Sequence, residues 1–193
     1  MTARLNAVAR REQLLDVALE VFARAGYHGA SMNDVAEAAG VTKPVLYQHF
    51  ESKRELYRAL LDEVGTRLLA AIGTATAGTT DGREQTELGF QAYFRWVAED
   101  HDAFRLIYGS GARRDEEFNR AVRQVTAGAA AAIAPLIAAD IDDEHKLTLA
   151  HAIVGLAEGA SRRLVERGEP FDPDVVARQV SDLAWAGLRG VRR

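Results

Sequence analysis

The residues with the most chemistry to offer are five cations placed where helices disfavour them. Read from the sequence, Arg10 and Arg11 open a first amphipathic helix, Lys43 opens a short later one, and Lys53 with Arg54 open the helix after that. The start of a helix carries the positive pole of its macrodipole, so a basic residue in the first turn costs roughly a few tenths of a kcal/mol. An anionic surface facing all three starts removes the conflict. A phosphate backbone is such a surface, since it is bound by helix N-termini and by Lys and Arg together. Solvation explains any one exposed cation; three coincidences close together in the chain favour phosphate contact.

The elements that must position these cations are spelled between Ala30 and Leu56. Ser31 caps a helix with Met32, Val35, Ala36 and Ala39 at helical spacing, and Gly40 ends it in the left-handed conformation. Thr42 caps the next helix, Pro44 sits in its first turn where a missing N–H costs nothing, and Val41 with Leu46 forms a hydrophobic staple. Ser52 and Glu55 make a capping box before Leu56, Leu60 and Leu61, which begin a long third element. Two short helices joined by a turn of about three residues are the grammar of a helix-turn-helix reader of DNA. Side chains early in the second helix of such a motif meet base edges, so Thr42, Lys43, Pro44 and Val45 are the base-reading candidates. Lys43 can donate to guanine O6 and N7, and Pro44 or Val45 can pack on a thymine methyl. Leu46 and Phe50 are expected in the core, and the arm Met1–Ala9, with Arg4, is expected to be a terminal tail.

This stretch resembles the TetR family of one-component transcriptional regulators. The likeness is carried by the helix Arg11–Tyr27 ending in AGYHGAS, by DVAEAAGVTKPVLYQHF at 34–50 and by SKREL at 52–56. Met32 departs from the family's usual Thr or Val, at an apolar packing position. The resemblance implies an all-helical homodimer, with a three-helix DNA-binding domain at 1–58 and a larger helical domain at 59–193 for ligand binding and dimerisation. It implies a repressor released from a palindromic double-stranded operator by a small-molecule effector, with no cofactor. It further implies that Ser31, Tyr47, His49 and Lys53 hold the phosphate backbone.

Composition is compatible with that reading. The 193 residues carry 24 Lys and Arg against 28 Asp and Glu, for a net charge of −4. Through Arg58 there are 8 basic and 7 acidic residues, so the acidic excess lies beyond the motif, and the charge argues for local basic placement rather than general polyanion binding. There is no cysteine, which excludes disulfides and thiolate metal sites. With no signal-peptide core and no apolar run of about 18 residues, the expected location is cytoplasmic, without membrane contact.

Beyond Arg58 the chain reads as further helices, about nine in all, broken by Gly, Asp and Pro. The small-residue stretch Gly73–Gly82 is the expected loop between the halves, and Asp81, Asp115, Asp142 and Asp172 are expected to open helices. Phe90, Tyr93, Phe94, Phe104, Tyr108 and Phe118 concentrate aromatic bulk that could enclose an apolar or amphipathic effector, with His151 and Glu158 as polar partners. Aromatic residues at helical spacing are more often plain core. In the last two helices, Gly155 and Gly159 permit close backbone approach, and Val180, Leu183, Ala184, Gly187 and Leu188 form an apolar stripe; together they are the expected dimer interface. An enzyme reading would start from Glu99–Asp102 or Asp140–His145, but neither repeats a ligating pattern across two helices, and no metal site or nucleophile motif is expected. The rival reading is a helical small-molecule sensor or adaptor that no longer binds DNA.

Overall fold

Apolar residues recurring at helical spacing, interrupted by caps and glycines, build nine α-helices and one 3-10 turn among the described residues. These are α1 (Ala7–Gly29), α2 (Met32–Ala38), α3 (Lys43–His49), α4 (Lys53–Thr76), α5 (Gly82–Glu99), α6 (His101–Tyr108), α7 (Glu116–Ile133), α8 (Asp143–Arg167) and α9 (Pro173–Gly190), with the 3-10 turn at Ala134–Leu136. The structure is a computed structural model that describes residues 6–108 and 116–191, the side chain of Glu117 excepted. Arg4 and Asp115 lie outside the described residues. No described helix is long and apolar enough to cross a membrane.

Packing divides the chain into two units. One comprises residues through Val64 with Asp102–Val122; the other comprises Gly65–His101 with residues from Arg123 onward. The expected boundary at Arg58 followed chain order, whereas packing recruits α6 and the first turns of α7 to the motif. The physical reason is visible at Phe118. Its fully buried ring lies 4.6 Å from that of Tyr27 and 4.5 Å from that of Tyr57, and the Arg54 guanidinium stands 5.4 Å from its centroid. Burial, and secondarily Tyr27, push the Tyr57 phenol up to about 12, so that phenol stays protonated far above neutral pH.

In the second unit α5 lies chiefly along α9, and α8 contacts both. Asp172 caps α9 as expected, its Oδ1 accepting from the N–H groups of Asp174 and Val175. Asp81 and Asp142 likewise cap α5 and α8. The loop before α5 is shorter than the sequence suggested: α4 continues through Gly73 to Thr76, whose hydroxyl donates back to the Ile72 carbonyl. A single glycine costs a helix only about 1 kcal/mol, and α4 absorbs it.

Another glycine of α4 is there for space. A Cβ on Gly65 would stand 2.5 Å from Cγ2 of Val125 on α7. Valine is stiff about χ1, so it cannot simply turn away. Gly65→Ala is therefore expected to destabilise the protein by about 1–3 kcal/mol in urea unfolding, despite the better helix propensity of alanine. Val125→Ala added to it should recover most of the loss; a stabilising Gly65→Ala would show that the two helices part without cost.

Candidate nucleic-acid interface

The reader is held by backbone geometry at its turn. Gly40, at φ +62°, lets its own N–H reach the Glu37 carbonyl at 3.0 Å and the Val41 N–H reach the Ala36 carbonyl at 3.0 Å, the paired bonds of a Schellman ending. At the other end of α2, Ser31 and Asp34 form a reciprocal capping box, with the Asp34 N–H donating to Ser31 Oγ at 3.2 Å and the Ser31 N–H donating to Asp34 Oδ2 at 2.8 Å. Thr42 holds the N-cap position of α3 but its side chain makes no cap bond; its carbonyl alone accepts from Val45 and Leu46. The box expected at the start of α4 is displaced. Ser52 Oγ accepts from the Glu55 N–H, but Glu55 reaches the N–H of Glu51 rather than that of Ser52.

Burial then sorts the side chains of α3. Leu46 and Phe50 are buried, while Thr42, Lys43, Pro44, Tyr47 and Gln48 are exposed, Tyr47 at 48%. Positions 43 and 47, and 44 and 48, are one turn apart, so four of these residues form a continuous outward strip. Val45 and His49 are half-buried beside it. Gln48 is a further candidate beyond the four expected base readers, and its spacing of one turn from Pro44 is the sequence signal for it. A glutamine on a reading face can pair with adenine N6 and N7.

The other expected phosphate ligands are differently placed. Arg10 and Arg11 do not open α1, because Asn6 caps that helix by accepting from the Ala9 N–H at 2.8 Å, which also makes Ala7–Ala9 helical rather than part of a tail. Arg10 bonds Gln13, and Arg11 lies 5.1 Å from the Phe50 ring centroid. Lys53 turns toward the protein, donating to the carbonyls of Tyr27 at 2.8 Å and Ala30 at 2.9 Å. Lys43 is exposed on the outward strip of α3, while Arg11 and Arg54 are exposed beside aromatic rings.

Residues 14–60 match the model for bacterial regulatory proteins of the tetR family, and residues 83–187 match that for the tetracyclin repressor-like C-terminal domain. The HTH-type transcriptional activator FasR of Mycolicibacterium smegmatis is 34% identical over 190 residues, covering 97% of this chain and 87% of FasR. The chain belongs to the TetR family. It is a helix-turn-helix transcriptional regulator. The HTH-type transcriptional repressor KstR2 of Mycobacterium tuberculosis is 33% identical over 106 residues, 55% of this chain and 52% of KstR2. A TetR-like regulator from Rhodococcus sp. RHA1 aligns at 28% identity with a TM-score of 0.79, covering 97% of this chain and all of that one. The fold is also that of FadR from Bacillus subtilis in complex with stearoyl-CoA, at a TM-score of 0.80 and 18% identity over 94% of this chain and 99% of that one.

For a TetR-family protein the effector and dimer residues are the next to place, and packing divides the aromatic set. Phe90, Tyr93 and Phe94 are buried in the second unit, whereas Phe104, Tyr108 and Phe118 are buried in the first. His151 is exposed, and Glu158 pairs with Arg162 along α8. None of them lines the shallow cleft of about 210 Å³ formed by Ala98, His101, Gly168, Pro170 and Phe171. The dimer candidates also separate. Gly155, Gly159, Leu183 and Gly187 are exposed, Leu183 at 62%; Ala184 is buried, Val180 half-buried, and Leu188 packs on the Ala130, Ile137 and Ala150 cluster. Asp142, inside one acidic stretch, is occupied as a helix cap, and no group of three or more acidic or His residues among those described is arranged to hold a metal.

If the outward strip of α3 reads bases, Lys43→Ala and Gln48→Ala should each relax preference at a different base pair per half-site. The expected loss of discrimination is about 1–3 kcal/mol each, read from binding to a library of operator variants. Equal loss on specific and random DNA would remove that residue from the base-reading set.

Proposed function

We propose that the protein binds a near-palindromic operator as a homodimer and is released from it by an apolar or amphipathic effector. The carrying observation is the exposed strip Lys43, Pro44, Tyr47 and Gln48, held outward by buried Leu46 and Phe50. In this reading Thr42, Lys43, Pro44 and Gln48 address base edges, with Val45 at the margin, while Tyr47, His49 and the capped N-terminus at Ser31 meet phosphates. One such helix spans few base pairs, so two copies of the chain would place two readers in successive major grooves about 34–36 Å apart.

Support for a dimer comes from the outer faces of α8 and α9. Leu156, Leu183 and Val175 are large apolar residues at 37%, 62% and 37% exposure, beside the exposed glycines at 155, 159 and 187. Symmetry-related α8 and α9 pairs would cover them as a four-helix interface. Because Leu183 is exposed in the single chain, Leu183→Arg should leave folding intact yet place an unpaired charge in the interface, at a cost of about 3–5 kcal/mol. Sedimentation at low micromolar concentration should show monomer; a persistent dimer would move the interface elsewhere.

The effector reading takes its chemical class from the FadR neighbour described with stearoyl-CoA, together with the aromatic bulk of α5. Release is the proposed response, although FasR is named an activator and KstR2 a repressor. The helix α4 begins in one packing unit and ends in the other, which suits it to transmit a change. Selection of bound duplexes from a random library should return an operator, and stearoyl-CoA should lower the affinity for it. By linkage, operator should weaken stearoyl-CoA binding by the same factor. Tight effector binding with unchanged operator affinity would defeat release, and failure to select any sequence would defeat the DNA-reading assignment.

A further inference from the structure

The Lys53 ammonium occupies a built position. It donates to the carbonyl oxygens of Tyr27 at 2.8 Å and Ala30 at 2.9 Å, and it stands 4.5 Å from the centroid of the Tyr27 ring. Those carbonyls belong to the end of α1, after the backbone turns at Gly26 with φ +69° and the Ala30 N–H closes on the Gly26 carbonyl at 3.1 Å. A helix end leaves carbonyls without intrahelical donors and concentrates negative potential, so a cation bonded there is favourable twice over. The aromatic face adds a third attraction. Two of the three ammonium donors are spent on this contact.

The place of the contact matters as much as its strength. Ala30 is buried at 2% exposure and immediately precedes Ser31, the N-cap of α2. Lys53 is the first residue of α4. One ammonium therefore ties the start of α4 to the start of α2. The helix α2 packs on both α1 and α3, and its Schellman ending leads directly into α3. Fixing where α2 begins thus fixes the angle at which α3 presents its outward strip.

We propose that Lys53 is a positioning residue for base reading, holding the corner between α1 and α2 instead of contacting a phosphate. The proposal rests on the DNA-reading function and specifies how one of its cations serves it. Such a residue affects discrimination, because a mis-set helix loses directional base contacts before it loses non-directional attraction to phosphates. A phosphate ligand affects all sequences alike and contributes to the salt dependence.

The test is Lys53→Met, which keeps an unbranched apolar stem and removes every donor. Binding to a library-selected operator and to a random duplex is measured across a salt series. The expected result is a loss of about tenfold or more on operator, less than about twofold on random DNA, and an unchanged salt slope on random DNA. Equal losses on both, with the slope on each reduced by about 0.9, would overturn the proposal, as would no loss on either. A measurement on the unsubstituted protein stands independently of whether the variant folds. The Lys53 ammonium should show NMR couplings across its hydrogen bonds to the Tyr27 and Ala30 carbonyls, and these should persist with operator bound. Their disappearance on operator binding would equally overturn it. If the unsubstituted protein selects no operator, DNA reading itself fails, an outcome distinct from a wild type that discriminates and a Lys53→Met variant that discriminates equally well.

Discussion

A seven-residue helix does not persist alone in water, because ordering its first turn costs more than its few hydrogen bonds return. The helix α3 exists because it is held from outside: by the Gly40 turn ahead of it, by Leu46 at 0% exposure in its middle, and by Phe50 at 1% exposure at its end. Everything functional about the reader follows from that anchoring. Once Leu46 and Phe50 face inward, helical geometry sends Lys43, Pro44, Tyr47 and Gln48 outward. The outward residues then contribute little to stability, so their chemistry is free to be set by the surface they meet.

The reader was legible in the sequence because its constraints are local. A glycine needing positive φ, a Ser at an N-cap, and a proline in a first turn each act within a few residues, and Gly40, Ser31 and Pro44 stand where those rules place them. The helix α1 starts earlier than expected because Asn6, four residues upstream of Arg10, caps it. The hydroxyl of Thr42 shows the opposite limit: a residue of the right type at an N-cap need not make the bond when the backbone turn is already closed.

What the sequence could not show is where long side chains go. Lys53, Arg54 and Arg11 all look like solvated or phosphate-seeking cations, yet each lies over an aromatic ring: Tyr27, Phe118 and Phe50 respectively. An aromatic face and a helix-end carbonyl are both negative, and they compete with phosphate for the same cation. Neither Tyr27 nor Phe118 is near these residues in the chain, so the competition is invisible until the fold brings them together. The dipole argument for anion binding therefore survives most directly at Lys43.

The same non-locality governs the aromatic residues taken for an effector pocket. A list of Phe and Tyr read along the chain looks like one reservoir, but Phe118 closes against Tyr27 and Tyr57 while Phe94 lies within ring distance of Phe90 and Tyr93. A ring that is fully buried against other rings is already doing the work of packing, and a ligand could reach it only by displacing those contacts. An effector using those rings would draw its binding energy from apolar surface opened as it enters, so the cost of repacking would enter its affinity directly. A ligand that repacks a core also has, by necessity, different affinities for the two packings, which is the thermodynamic condition for any effect on DNA binding.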